Sequence, residues 1–293
     1  MLLIYSPRCL EYAAPGHPEG PDRIRRTVEL LRKDYHIWLT PEPCAEEDLL
    51  RVHTPGHLRA VRTGEFSDAD TPFFPQIDDL ARLSAGAAVL AAHNAREGRP
   101  AFSLMRPPGH HAERDRIMGF CYYNNIAVAV ARLLAEPSAP GRVAILDFDC
   151  HHGNGTADIF RNDPRVLCVS LHQSPCYPWT GMQSEGNCLN YVLPPGTLPD
   201  PYLKAFDSAL ERIAAFAPDL MAVSAGFDAH KNDPITHLGL EVETFHELGR
   251  RLKAFCDPAG QEHPVPCFAV LEGGYAGDVA HCVEAFVHGW EQH

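Results

Sequence analysis

The sequence predicts an α/β fold in which helices cover both faces of one mostly parallel sheet. From about residue 100 onward, short apolar segments alternate with segments of helical spacing, which is typical of strand–helix units in a parallel sheet. The apolar segments are continuous rather than alternating, as in strands that are buried on both faces. Because no linker or repeat of fixed period interrupts the 293 residues, we predict a single domain over residues 1–293.

Each element follows from a local pattern. Before residue 100 we predict a strand at 2–5, an amphipathic helix at 22–33, a helical turn after 41–47, a loop at 67–75 that could lie over a pocket, and an alanine-rich helix at 79–96. Further strands are predicted at 101–105, 143–149, 166–172, 220–227 and 266–271. Further helices are predicted within 119–136 and at 155–161, 201–216, 242–255 and 278–290.

Polar side chains able to bind a metal or move a proton follow each of the five later strands. In chain order they are His110 and His111, then Asp147, Asp149 and His151, then Ser170 and His172, then Asp228 and His230, then Glu272 and Tyr275. Ligands of parallel α/β proteins bind beyond the carboxyl ends of the strands. One buried histidine could be purely structural, but five coincidences at one edge indicate a functional site.

Asp149, His151 and Asp228 have the composition of a catalytic metal site. Buried carboxylates need a cation, and residues two apart on an extended chain face the same way, which allows Asp147 and Asp149 to converge. Two oxygen ligands and one nitrogen ligand with open positions are typical of catalytic rather than structural zinc.

Neighbouring residues could supply acid–base chemistry. Two carboxylate ligands neutralise much of the zinc charge, so a nearby base matters more. His110 and His111 are placed to supply that base, with Asp147 and Asn154 as candidates to orient them. Tyr275 could hydrogen-bond an oxyanion, although the two glycines before it would by themselves indicate a plain turn.

Composition limits the partners. The formal net charge of −13 disfavours nonspecific nucleic-acid binding, which needs clustered lysine and arginine. It would suit a cationic substrate, but a generally acidic, soluble surface is the simpler interpretation. No apolar run has the length of a membrane span or a signal peptide. We read the ten cysteines as reduced thiols and expect a cytoplasmic protein without a membrane or nucleic-acid partner.

Five motifs together resemble the zinc-dependent histone deacetylase and acetylpolyamine amidohydrolase family. They are RPPGHH ending at His111, GFCYYNN at 119–125, DFDCHHGNGT at 147–156, SAGFD at 224–228 and LEGGY at 271–275. The resemblance runs from about residue 17 to 289 and is closer to class II and bacterial members than to class I. It implies the arginase-like, three-layer α/β/α sandwich with a central eight-stranded parallel sheet.

The resemblance also implies roles for single residues. Zinc would be held by Asp149, His151 and Asp228. His111 would be the general base and then the acid for the leaving amine, while His110, paired with Asp147, would act mainly electrostatically. Tyr275 would polarise the acyl carbonyl. Asn154 stands where class I has an aspartate, which should leave the pKa of His111 lower than an aspartate would.

Structural potassium ions are a further implication of the resemblance. The first site would use Asp147, the carbonyls of Asp149, His151 and Leu171, and the Ser170 hydroxyl. A second, backbone-rich site would involve Phe160, Asp163 and Val166. We therefore expect one zinc ion and one or two potassium ions.

The family's acyl-amine tunnel has counterparts in this sequence. Phe120 and Tyr177 would form its aromatic walls, Gly119 and Gly273 would line it, and Asp70 would be a hydrogen-bond acceptor at its rim. Such walls suit a long methylene chain.

Two departures from the family pattern bear on the substrate. Trp179 follows Tyr177-Pro178, where a glycine is common, and could narrow the entrance, add a wall or simply pack on a loop. Ile235 follows Asp233-Pro234, where polyamine-selective eukaryotic members have a glutamate. That argues against this particular recognition device.

We therefore expect a zinc-dependent amidohydrolase that removes an acyl group, in particular acetyl, from a primary amine on a flexible chain. The acidic balance and the bare domain favour acetylpolyamines or other small acetylated amines over acetyl-lysine peptides. The alternatives are a protein acetyl-lysine deacetylase, a two-metal arginase-like ureohydrolase and a non-catalytic acyl-amine binding protein. The ureohydrolase would need a second carboxylate cluster where His110-His111 lies, and binding alone would not require Tyr275 or His111. The oligomeric state is left open, a homo-oligomer included.

Overall fold

Apolar segments form the middle of an eight-stranded sheet in the computed structural model, which describes residues 1–258 and 264–292. The strands are β1 (Leu2–Ile4), β2 (Ile37–Leu39), β3 (Ala101–Ser103), β4 (Val143–Asp147), β5 (Val166–Gln173), β6 (Cys188–Leu193), β7 (Leu220–Ala225) and β8 (Cys267–Leu271). Their order is β2-β1-β3-β8-β7-β4-β5-β6, and every pairing is parallel. The predicted central eight-stranded sheet is confirmed.

Helices form the two outer layers. They are α1 (Asp22–Leu31), α2 (Glu46–Leu49), α3 (Pro55–Thr63), α4 (Ile77–Arg96), α5 (Asn125–Leu134), α6 (Asn154–Phe160), α7 (Pro199–Phe216), α8 (Val242–Cys256) and α9 (Val279–Glu291). Helices α1, α7, α8 and α9 pack together as one group, and α2 to α6 pack as another. The α/β/α sandwich is therefore confirmed, with the strands of its middle layer buried on both faces.

The two edge strands and α3 are absent from the sequence prediction. In β2 all three residues are partly or fully exposed, and in β6 only the first and last residues are buried. Short, half-exposed edge strands carry little apolar signal. Helix α3 does have local signals, since Thr54 caps its first turn, Pro55 begins it and Gly64 ends it in the left-handed conformation.

Strand β4 ends at Asp147, two residues earlier than predicted. Asp147 accepts a hydrogen bond from the Asp149 amide (3.1 Å), and Asp149 accepts one from the His151 amide (2.9 Å). These side chains turn the backbone out of the sheet, as aspartate commonly does. The loop after β4 is thus shaped by turns rather than by the extended geometry that the sequence suggested.

Candidate functional site

The carboxyl ends of the central strands meet at one edge of the sheet. Asp147 at the end of β4 is in register with Ser170 of β5 on one side and with Ser224 of β7 on the other. Loops that follow β3, β4, β7 and β8 therefore begin side by side. This register explains how residues far apart in sequence come to share one site.

Asp149, His151 and Asp228 form a compact, buried cluster. One ligand-type atom from each lies within 4.8 Å of the others. His151 Nδ1 is 3.1 Å from Asp149 Oδ1 and 2.8 Å from Asp228 Oδ2. Both aspartates are fully buried. The three predicted zinc ligands are therefore brought together.

This cluster fits a divalent cation. Asp228 Oδ2 is buried and forms no well-aligned hydrogen bond in the described residues, although His151 Nδ1 lies 2.8 Å from it. Burial, with repulsion from Asp149, raises the pKa of Asp228 to about 7, a cost that a cation between the two carboxylates would offset. A Cβ atom at Gly273 would lie 2.6 Å from an oxygen of each aspartate, so glycine keeps the space beside the cluster open.

His110 and His111 lie above this cluster in different electrostatic surroundings. His110 Nδ1 is 2.9 Å from Asp147 Oδ2, and His111 Nδ1 is 2.7 Å from Asn154 Oδ1. Burial alone would lower the pKa of His110, but the carboxylates of Asp149 and Asp147 raise it to about 10. The pKa of His111 lies well below its usual value because of burial and the adjacent His110 charge. One histidine is held charged and the other neutral.

Glu272 anchors the backbone of the two histidines. Its Oε2 accepts hydrogen bonds from the amides of Gly109 (2.7 Å) and His110 (3.1 Å), and its Oε1 accepts one from the Ser224 hydroxyl (3.1 Å). Burial raises the pKa of this fully buried carboxyl to about 7. Only the position of Glu272 after a strand could be read from the sequence, because the two amides that it holds lie more than 160 residues away.

A cavity of about 450 Å³ opens from this cluster to the surface. Its lining includes all the predicted tunnel residues, Gly119, Phe120, Tyr177, Gly273 and Asp70, together with His111 and Tyr275. The rings of Phe120 and Tyr275 meet edge to face at 5.7 Å between centroids, and those of His111 and Tyr177 do so at 5.2 Å. Phe120 and Tyr177 thus line the cavity next to Tyr275 and His111, respectively.

The cavity entrance carries the residues that depart from the family pattern. Trp179 and Ile235 both line it. Trp179 is 71 % exposed, so its ring borders the opening instead of packing into a loop. Asp70 also lines the cavity, and its carbonyl oxygen is 2.9 Å from His17 Nε2.

The loop that carries Tyr275 is tied to the N-terminal part of the chain. Asp233 accepts a hydrogen bond from the Tyr275 amide (2.8 Å). The Arg23 guanidinium lies 4.6 Å from the centroid of the Tyr275 ring and donates hydrogen bonds to the carbonyls of Glu272 and Gly274. Burial raises the pKa of Tyr275 well above its usual value, which keeps the phenol protonated.

Arg23 is held in place by a buried salt-bridge triad with Glu19 and Arg106. Glu19 accepts hydrogen bonds from Arg23 (2.9 Å) and Arg106 (2.6 Å), and all three side chains are buried. The Tyr12 hydroxyl donates a further hydrogen bond to Glu19, at 2.8 Å. No role for these residues could be predicted from the sequence, since Arg106 lies 87 residues from Glu19.

The residues of the two predicted potassium sites differ in their surroundings. Those of the first lie at the end of β4, on the turn after it and on β5, and they are Asp147, Asp149, His151, Ser170 and Leu171. The carbonyls of the second, from Phe160, Asp163 and Val166, converge on the side-chain nitrogen of Asn187 at 2.8, 3.2 and 2.8 Å. An amide therefore lies where the second ion was predicted.

No helix in residues 1–258 and 264–292 combines the length and apolarity needed to cross a membrane. In the same residues, the other cluster of three potential metal ligands, Asp34, Glu284 and His288, lies at the surface. Asp34 is exposed, and Glu284 and His288 are partly exposed, unlike the buried cluster.

Comparisons with known proteins agree with this arrangement. Residues 17–290 match the histone deacetylase domain. The chain is 40 % identical over 283 residues to a probable deacetylase of Archaeoglobus fulgidus, covering 90 % of this chain and 77 % of that protein. It is 38 % identical over 288 residues to a histone deacetylase-like amidohydrolase of Pseudomonas aeruginosa, covering 90 % and 74 %.

Solved structures show the same fold. The HDA15 HD domain superposes with a TM-score of 0.87 at 32 % identity, covering 98 % of this chain and 90 % of that one. An acetylpolyamine aminohydrolase from Burkholderia pseudomallei superposes with a TM-score of 0.86 at 27 % identity, covering 99 % and 98 %. The chain belongs to the histone deacetylase family.

Proposed function

We propose that this protein is a zinc-dependent amidohydrolase that removes an acetyl group from a primary amine on a flexible chain. The observation that carries the proposal is the buried cluster of Asp149, His151 and Asp228 at the inner end of a cavity that His111 and Tyr275 also line. Family membership supports hydrolysis of an amide. A binding protein would have no need for an acid–base pair beside such a cluster.

The histidines would divide the proton transfers between them. Because Asn154 Oδ1 accepts from His111 Nδ1 at 2.7 Å, the neutral ring keeps its Nε2 free to take a proton from the attacking water and then to pass it to the leaving amine. His110, held charged by Asp147 and Asp149, would stabilise the negative charge that develops. Tyr275 would donate a hydrogen bond to the carbonyl oxygen as it becomes an oxyanion.

Zinc bound to Asp149, His151 and Asp228 would supply Lewis-acid polarisation of the carbonyl and a more acidic water. A potassium ion beside Asp147 and Ser170, with carbonyls of Asp149, His151 and Leu171, is proposed as a structural component. The second predicted potassium would have to displace the Asn187 amide from the carbonyls of Phe160, Asp163 and Val166.

For the substrate we propose an acetylpolyamine or another small acetylated amine. The cavity has room for an acetylated alkyl chain between Phe120 and Tyr177, and the net charge of −13 would attract a cationic amine. Trp179 at the entrance would add a wall that suits a slender ligand. A protein acetyl-lysine substrate is the second candidate, and the match to the histone deacetylase domain favours it.

A hydrolysis panel tests the proposal. Zinc-loaded protein is offered acetylputrescine, acetylspermidine and an acetyl-lysine peptide, and amine release is measured. Higher kcat/KM for the two polyamines supports the small-amine substrate, whereas preference for the peptide contradicts it. No hydrolysis of any of the three amides would contradict the amidohydrolase itself.

The cellular setting is proposed from the thiols. All ten cysteines lie in the described residues and none forms a disulfide. Nine of them are buried. These thiols support a reducing compartment such as the cytoplasm. We propose no nucleic-acid or membrane partner.

A further inference from the structure

We propose that Glu113 is a positioning residue that fixes the protonation form of His111 through Asn154. The inference rests on the proposed amide hydrolysis, because it gives Glu113 a role in that same reaction. Neither the predicted family motifs nor the comparisons assign Glu113 a function. It follows directly from hydrogen bonds around the Asn154 carboxamide.

The Asn154 carboxamide lies between His111 and Glu113. Its Oδ1 is 2.7 Å from His111 Nδ1, and its Nδ2 donates to Glu113 Oε1 at 2.7 Å. The remaining contacts of Nδ2, with the His111 carbonyl and Met118 Sδ, are both longer, at 3.4 Å. Glu113 is therefore the strong acceptor for this amide.

A carboxylate accepts hydrogen bonds and cannot donate them. An asparagine amide accepts through Oδ1 and donates through Nδ2, and it can be placed in either of two orientations. With Glu113 present, Nδ2 must face Glu113, because the reversed amide would place Oδ1 against a carboxylate oxygen. Oδ1 then faces His111. The only proton it can accept there is the one on Nδ1, so the neutral His111 ring has its free lone pair on Nε2.

Without Glu113 only the two longer contacts of Nδ2, with the His111 carbonyl and Met118 Sδ, still favour this amide orientation, so the reversed one becomes more populated. In the reversed one, Nδ2 would donate to His111 Nδ1, and the neutral ring would carry its proton on Nε2. Such a ring cannot accept a proton from water at the position that faces the cavity. Loss of the correct tautomer disables a histidine base even when its position is unchanged.

Two polar contacts hold the backbone of Glu113 in place. Its carbonyl oxygen is 3.0 Å from His53 Nδ1, and its amide donates to the Arg116 carbonyl at 3.0 Å. The side chain is half-buried and lines a second cavity of about 440 Å³ on the far side of Asn154 from the substrate cavity. Glu113 therefore acts from outside the substrate cavity and does not touch the reacting atoms.

The test compares Glu113→Ala and Glu113→Gln with the wild type. Alanine removes the acceptor, so kcat should fall about 10- to 100-fold, the scale for the partners that orient site residues, with KM nearly unchanged. Glutamine keeps an oxygen that can accept from Asn154 Nδ2 and should recover most of that loss. Glu185→Ala is the matched control, because Glu185 lines the same second cavity without a hydrogen bond to Asn154.

Introducing Glu113→Ala into an Asn154→Asp background distinguishes a positioning role of Glu113 from a general structural role. An aspartate has no amide to orient, and Glu113 would repel it, so Glu113→Ala should there be neutral or should raise kcat. A general structural role would instead give the same loss in both backgrounds, and would overturn the proposal.

A spectroscopic readout is independent of turnover. The ¹⁵N chemical shifts of the His111 ring, identified by comparison with His111→Ala, should report the Nδ1-protonated tautomer in wild type and a mixture in Glu113→Ala. Unchanged shifts and kcat in Glu113→Ala, with wild-type hydrolysis intact, would overturn the role of Glu113 alone. A wild type that hydrolyses no amide would overturn the proposed function, and the tautomer shifts would still test Glu113.

Discussion

The two adjacent histidines of the site have opposite surroundings. His110 faces Asp147 and Asp149 and is anchored by Glu272, whereas His111 faces a neutral amide, Asn154. The pKa of the first is raised to about 10 and that of the second is lowered well below its usual value. Because the rings are only 4.0 Å apart, the contrast indicates that the charge of the partner, rather than burial, sets the direction in which each pKa moves.

The largest effect should come from removing the cluster beneath both histidines. Asp228→Asn removes one carboxylate of the proposed zinc site, so zinc should be lost on dialysis and turnover should fall by more than about 10³-fold. Metal analysis and kinetics check this, with the exposed Asp200→Asn as control. Full zinc occupancy in Asp228→Asn would contradict its assignment as a ligand.

Tyr275→Phe should leave both histidines and the metal in place but remove the hydrogen bond to the oxyanion. Turnover should fall by roughly 10²–10³-fold, the scale for one such donor, with zinc content and folding unchanged. Tyr35→Phe is a suitable control because Tyr35 is almost fully exposed. Wild-type turnover in Tyr275→Phe would exclude this tyrosine from the mechanism.

Asn154→Asp should make the surroundings of His111 resemble those of His110. A negative charge about 2.7 Å from Nδ1 stabilises the imidazolium and raises the pKa of His111 by about 1 unit. Since the base must be neutral, the acidic limb of the kcat/KM profile should move to higher pH by that amount. A limb that stays in place or moves to lower pH would show that His111 does not set it.

The free energy of unfolding should also depend on pH, through His53 and His57. Their rings stack at 4.2 Å beside the Glu113 backbone. Burial lowers the pKa of both. The native state therefore stays unprotonated where the unfolded chain binds protons, and the free energy of unfolding should fall as pH drops below about 6.5, by up to about 1.4 kcal/mol per pH unit for each histidine.

Urea unfolding at pH 7 and pH 5 measures this dependence. His57→Gln should reduce the pH slope by about one histidine's share, whereas His281→Gln, at an exposed position, should leave it unchanged. Equal slopes in wild type and His57→Gln would show that His57 is not one of the acid-sensitive groups.

The smallest effect is expected far from both histidines, at the second predicted potassium site. Asn187→Ala would leave the carbonyls of Phe160, Asp163 and Val166 without their amide donor, so a monovalent cation could replace it. The melting temperature of Asn187→Ala should rise with KCl, relative to choline chloride, by a few degrees more than that of the wild type. An equal response would mean that Asn187 does not substitute for an ion.

The sequence was most informative where a structure follows from a local residue pattern, or where a rule applies to all parallel sheets. The central strands were predicted from apolar runs, and the shared edge of the parallel sheet predicted that Asp149, His151 and Asp228 would meet. The edge strands β2 and β6 were missed because half of their residues or more face outward. Their short, mixed patterns resemble those of loops.

Partners that act across long sequence separations could not be predicted. Glu272 holds the Gly109–His110 backbone from more than 160 residues away, and Glu19 joins Arg23 to Arg106 in the core. The identity of one charged residue does not indicate which distant residue will pair with it. The pairing of Glu113 with Asn154 belongs to the same class.

The Glu19–Arg23–Arg106 triad has a consequence for exchanging segments between family members. Arg23, in the first helix, donates hydrogen bonds to the backbone on both sides of Gly273. The N-terminal segment and the LEGGY loop are therefore structurally coupled. A chimera that took its first 25 residues from a relative lacking this triad would keep every proposed zinc ligand. It would nevertheless leave a buried charge unpaired and release the support of Tyr275. Transplants should therefore move both segments together.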